Sequence, residues 1–239
     1  LNVFRNVASK QSYAGIIKEL RWITAMLGLA RDLDVFATQT LPPMLLQLQT
    51  HPGLIQLNEK VNQARLQAYV EVRAALASQR YHRLLLSLGA WLENERWREA
   101  NAIEYGVLDI AQAMLAKRHM QLKKHGRLLM HMHPEERHAS RIAAKKLRYS
   151  AEFFAGLYPK ARSLDFLPTL TKLLDILGAL NDIAVSENLV RRLIGRHPNH
   201  ALDESLHLFA GWSACNAMHR MQDMEHIWNH FERQKPFWD

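Results

Sequence analysis

The sequence predicts an all-α fold of two pseudo-symmetric antiparallel helical bundles. Three observations predict it. Apolar residues recur at helical spacing through most of the chain, and no stretch of useful length alternates in the manner of a strand. Turn clusters such as His51-Pro52-Gly53 and His197-Pro198-Asn199 separate long periodic segments. The chain also repeats itself. Shifted by about 150 positions, Leu20 falls on Leu170, Leu27 on Leu177, Gly28 on Gly178, Asp32 on Asp182 and Val35 on Val185. A repeat this long indicates two similar bundles, over 1–106 and 107–239, rather than a solenoid of short units.

The segment 1–5 reads as the tail of a helix. Ser12 is placed to cap a helix over 12–29, with Ile16, Ile17, Leu20, Ile23 and Leu27 on one face and Gly28 at its end. Asp32 then caps a helix through Val35 and Phe36 to Leu41, which Pro42-Pro43 interrupts or kinks. Helices follow over 54–78 and 81–93, then a polar loop over 94–104. A helix over 107–130 carries Lys117, Arg118, Lys123 and Lys124. Four more are predicted, over 134–154, 163–177, 182–196 and 203–231. The longest apolar run, from Leu84 to Leu92, reads as a buried helix and is too short to span a membrane. No secretory signal is visible at the start. The chain starts at Leu1 rather than Met, so native residues ahead of it are expected. The single cysteine, Cys215, excludes an internal disulfide and fits a reducing compartment, so the cytoplasm is the expected location.

The formal net charge of +8 is concentrated. Between Lys117 and Arg148 stand ten Lys and Arg against two acids, Glu135 and Glu136; the rest of the chain balances to zero. A field gathered in one window favours a defined polyanion site over general stickiness. Its centre is the helix over 134–154. Pro134 suits the first helical position and Glu135 and Glu136 the positive end of the helix dipole, while Tyr158-Pro159 closes the segment. With His138 at zero, Arg141 falls near ~300°, Lys145 near ~340°, Tyr149 near ~20°, Glu152 near ~320° and Arg148 near ~280°. Ala143, Ala144, Leu147, Ala151 and Phe154 occupy the other half. One face is built to bury; the other presents a row of cations with a His and a Tyr in line. Arg offers phosphate a planar fork and Lys a mobile point charge, so the row suits a repeating anion. The plain alternative is a solvated basic face.

The pattern His138-x-x-Arg141-x-x-x-Lys145-Lys146-Leu147-Arg148-Tyr149-x-x-Glu152 resembles the signature of CHAD domains, the conserved-histidine α-helical domains. The resemblance extends to Leu177-Gly178-Ala179-Leu180-Asn181-Asp182, to Glu19-Leu20-Arg21-Trp22 and to Leu27-Gly28-Leu29-Ala30-Arg31-Asp32-Leu33-Asp34-Val35. It covers essentially the whole chain. It implies a bacterial or archaeal-type all-helical domain with a basic groove or pore between two halves. It further implies non-catalytic binding of inorganic polyphosphate by His138, Arg141, Lys145, Lys146 and Arg148. The role implied is targeting to polyphosphate granules or presenting the polymer to a partner. Members of the family are sometimes fused to a CYTH triphosphatase domain, to which any hydrolysis would then belong. In the family the first unit carries its own basic helix. The repeat places that counterpart ahead of Leu1, so a site drawing on both halves is expected to be partial here.

Other residues carry weaker signals. Tyr149 reads first as a packing anchor, and alternatively as a donor to phosphate. Glu152 is placed to brace Arg148 one turn away. Lys117, Gln121 and Lys124 share a helix face with Arg118 beside it, and they line the same groove or form a solvated face. In the first unit Arg5, Lys10, Lys18, Arg21 and Arg31 are candidates, with Arg21 and Arg31 in the family-like stretches. Asp32, Asp34 and Asp182 suggest Mg²⁺, yet capping accounts for Asp32 and Asp182. His131, His133 and His138 match no established zinc spacing. No phosphate-binding loop, nucleophile elbow or acid–base pair is present, so no catalysis and no cofactor are expected. Two rivals remain. One is nucleic-acid binding, disfavoured by the lack of a motif and of stacking surface on the basic helix. The other is a protein-interaction scaffold.

Overall fold

The computed structural model describes residues 10–94, 106–126, 133–159, 164–195 and 199–239. All regular structure among them is helical. In chain order the helices are α1 (Lys10–Val35), α2 (Pro42–Gln47), α3 (Pro52–Leu76), α4 (Gln79–Glu93), α5 (Val107–Gly126), α6 (Pro134–Phe154), α7 (Phe166–Ile194) and α8 (His200–Arg233). No described helix is long and apolar enough to cross a membrane. The expected helix tail over 1–5 and nearly all of the expected loop over 94–104 lie outside the described residues.

Two compact units form. One gathers α1 to α4 with 188–208, the end of α7 and the start of α8; the other holds α5, α6, the rest of α7 and 209–239. Compactness therefore groups residues that are discontinuous in sequence, whereas the repeat divides the chain into two continuous spans.

In the first unit, Ile16 and Ile23 of α1 pack with Ala75 of α3 and Leu84 of α4; Leu20, Trp22, Met26, Tyr81, Leu88 and Trp91 surround them. Two polar ties hold α1 in place. The Arg80 guanidinium donates to Glu19 at 2.5 Å and lies 4.1 Å from the Trp22 ring centre, a cation–π contact. Asp34 accepts from Arg65 Nε at 2.9 Å and from the Tyr69 hydroxyl at 2.5 Å. The Tyr69 and Arg65 hydrogen bonds hold the Asp34 carboxyl below its ordinary range, against a smaller desolvation. Asp34 is thus an anchor between helices, and no described group of His, Cys, Asp and Glu is arranged to hold a metal.

The Leu-Gly breaks are not breaks. α1 runs unbroken through Gly28 and Asp32, and α7 through Gly178 and Asp182, so neither aspartate caps a helix. α1 is already helical at Lys10, so Ser12 is not its first residue. A helix-interior glycine costs only about 1 kcal/mol relative to alanine. Burial of Leu33 and Phe36 beyond Gly28, and of Leu180, Leu189 and Val190 beyond Gly178, outweighs that. The real interruption comes later. Over Phe36–Thr40 the helix widens into a π turn closed by Leu41 N–H donating to the Phe36 carbonyl at 2.9 Å. Pro42 and Pro43 follow as the first residues of α2. A proline ring crowds the carbonyl four residues earlier, and a wider turn relieves it.

His51 caps α3, its Nδ1 accepting from Leu54 N–H at 3.3 Å. Gly53 is required by close approach: a Cβ there would stand 1.7 Å from the Ala201 carbonyl oxygen. The apolar run on α4 is not buried as expected. Leu84 is buried, but Leu86 is 74% exposed and Leu85 and Leu92 are also exposed. A run longer than one helix face places residues on every side, and α4 buries only one.

The second unit closes around aromatic rings. His119 of α5 meets Phe166, Phe231 and Trp238 edge to face, with ring centres 5.5 to 5.9 Å apart. Trp228 fills the space above Gly126, where a Cβ would lie 1.7 Å from the indole.

Candidate functional site

α6 spans the range its sequence predicts. His133 N–H donates to Glu136 Oε2 at 2.9 Å, half of a capping box, and Pro134 occupies the first turn. Ala143, Ala144, Leu147, Ala151 and Phe154 are all buried. The small volumes of the three alanines let neighbouring helices approach closely. Arg118 of α5 crosses to α6, its Nη1 donating to the Lys146 carbonyl at 2.6 Å and to the Ser150 hydroxyl. Ser150 is fully buried, and its own hydroxyl donates to the Lys146 carbonyl at 2.9 Å. Arg118 is therefore a staple between α5 and α6 rather than a side chain beside the basic face.

The decisive geometry lies between α6 and α7. His138 Nδ1 is 2.6 Å from Asn181 Oδ1. One turn along α6, Arg141 Nε lies 3.8 Å from the point where a Cβ on Gly178 would stand. His138 and Arg141 are three residues apart, as are Gly178 and Asn181, so one turn of α6 registers on one turn of α7. The two stretches singled out separately in the sequence are in contact.

Arg141 is only 9% exposed, although its helical angle placed it on the open face. At Gly178 only a side chain longer than a methyl would reach the guanidinium, so Arg141 lies against α7 there. No ion pair or hydrogen bond reaches Arg141 from the described residues, and its Nε is buried without a partner. A buried cation normally has a carboxylate beside it.

The rest of the row is exposed or half-buried. Lys145 is half-buried and Lys146 exposed. Arg148 donates to Glu152 at 2.7 Å, the brace expected from their spacing. That hydrogen bond raises its already high proton affinity, against a smaller desolvation. Tyr149 does not anchor packing: it is 59% exposed, with Phe153 one turn on at 61%. A large ring on the outer side of a helix packs only where a neighbour covers it. On α5, Lys117, Gln121 and Lys124 are exposed on one side, while Lys123 reaches the Glu232 carbonyl at 3.4 Å. In the first unit Arg21 and Arg31 are exposed, and Arg31 lies 4.0 Å from Asp32. Gly178 and Asn181 lie within the Leu177–Asp182 stretch of the family-like pattern. Their spacing, matching that of His138 and Arg141, was the available signal.

A family model described as CHAD domain matches residues 1–191. The chain belongs to the CHAD family. The crystal structure of the CHAD domain from the plant Ricinus communis superposes with a TM-score of 0.82 at 27% identity, covering 98% of this chain and 77% of that one. PptA from Streptomyces chartreusis superposes with a TM-score of 0.74 at 14% identity, covering 96% of this chain and 84% of that one, a likeness of fold alone. No curated protein is significantly similar in sequence. The CHAD assignment agrees with the motif on α6 and with the all-helical architecture.

Proposed function

We propose that this CHAD domain binds inorganic polyphosphate without hydrolysing it. The observation that carries the reading is Arg141, a largely buried side chain whose Nε has no partner and which no acid pairs among the described residues. Such a cation is stabilised by an anion from outside, and a phosphate oxygen suits its fork. His138, Lys145, Lys146 and Arg148 continue the row along α6. Lys117 and Lys124 add charge from α5. A linear polyanion met by such a row releases condensed counterions, so binding depends steeply on salt. The role that follows is delivery to polyphosphate granules, or presentation of the polymer to a CYTH triphosphatase partner in which any hydrolysis would reside.

Nucleic acid is the second reading, favoured by the exposed Tyr149 and Phe153 rings beside Lys146, a larger stacking surface than the sequence suggested. A competition separates the two. Long-chain polyphosphate is expected to displace single-stranded RNA at equal phosphate concentration, and the reverse order overturns the proposal. Arg141→Ala should weaken polyphosphate binding by roughly tenfold or more while helicity is kept. Lys145→Ala should lower the salt slope by ~1. Unchanged affinity in both variants would move the function to a protein-interaction scaffold.

A further inference from the structure

The Asn181 amide has one orientation that fits its surroundings. Its Nδ2 donates to Asp182 Oδ1 at 3.3 Å, and a carboxylate can only accept. The amide oxygen therefore faces His138, where it lies 2.6 Å from Nδ1. An amide oxygen brings no proton, so the proton in that bond sits on His138 Nδ1. A neutral imidazole carries one N–H, which leaves Nε2 with a bare lone pair. His138 is exposed, and Nε2 has no partner among the described residues. A lone pair repels the ionised oxygen of an interior phosphate, which likewise carries no proton.

We infer that Asn181 is a positioning residue that couples phosphate binding at His138 to uptake of one proton at Nε2. This rests on the polyphosphate reading. With Nδ1 occupied, the ring can donate to an anion only as imidazolium. The proton comes from solvent and leaves when the polymer does. Arg137 and Arg141 flank His138 on α6, with Glu135 nearer the helix start. Asp182 stands behind Asn181 on α7 and is engaged by its amide. On α5, Lys123 is turned toward the Glu232 carbonyl of α8.

The test is calorimetry of long-chain polyphosphate binding at pH 8.5 in buffers of different ionisation enthalpy. Imidazoles are ordinarily neutral there. The wild type is expected to take up about one proton per site, so that affinity falls by about tenfold per pH unit on the alkaline side. Asn181→Leu frees the ring to move its proton to Nε2 and donate while neutral, so the uptake should vanish. His138→Gln supplies an amide donor that does not titrate, and should lose the uptake as well. ¹⁵N NMR of the free wild type should show the Nδ1–H tautomer. Tight wild-type binding without proton uptake, or uptake that persists in Asn181→Leu, overturns the coupling and leaves the polyphosphate reading standing. A wild type that does not bind overturns both.

Discussion

Arg141 Nε lies 3.8 Å from the position a Cβ on Gly178 would take, and Arg141 lies against α7 there. That distance is ordinary van der Waals contact, so one added methyl fits. Gly178→Ala should keep polyphosphate binding and stabilise the domain by up to about 1 kcal/mol through helix propensity. Gly178→Leu extends past the contact and should push Arg141 out, weakening binding roughly tenfold. Paired urea unfolding and binding titrations check both.

Arg118 should matter for stability. Arg118→Met keeps the aliphatic stem but removes the bonds to the Lys146 carbonyl and the Ser150 hydroxyl. Hydrogen bonds from a charged donor contribute about 1.5–3 kcal/mol, so a loss of about 2 kcal/mol is expected in urea unfolding. Lys117→Met, which alters an exposed side chain, should change stability by less than about 0.5 kcal/mol.

Gly53→Ala should disrupt the first unit. The Cβ would meet backbone, the Ala201 carbonyl oxygen at 1.7 Å, which no rotamer change relieves. Overpacking of a tight contact costs about 1–3 kcal/mol, and a backbone clash belongs at the upper end or beyond. Thermal unfolding and hydrogen exchange at α3 and at the start of α8 are the measurements.

His119 should make the second unit sensitive to acid. Desolvation among Phe166, Phe231 and Trp238 lowers its proton affinity, Lys123 lowers it further, and Asp239 opposes weakly. The unfolded chain accepts a proton that the folded ring resists. Stability is therefore lost as pH falls through about 6.5, the ordinary imidazole value, until the lower folded value is reached. His119→Leu should show a smaller loss of unfolding free energy between pH 7.5 and pH 5.5 than the wild type.

Much of the architecture was legible from residue order. α6 was readable end to end because Pro134, the two glutamates and Tyr158-Pro159 mark its limits and its apolar face is unambiguous. The Arg148–Glu152 brace follows from spacing alone. The supposed ends at Gly28 and Gly178 did not occur, because a local glycine signal is weak beside the burial of the residues that follow it. Arg141 was placed on the open face because a helical wheel knows nothing of a neighbouring helix.

Residue order by itself determined the helical class, the concentration of cations on one segment and the membership of its motif in a known pattern. Each of these depends on composition and period along a single stretch of chain. Only the tertiary structure decided that His138 meets Asn181, that Arg141 enters above Gly178, and that Arg118 turns away to bind α6. Those depend on the register between helices, which packing sets and no single helix encodes.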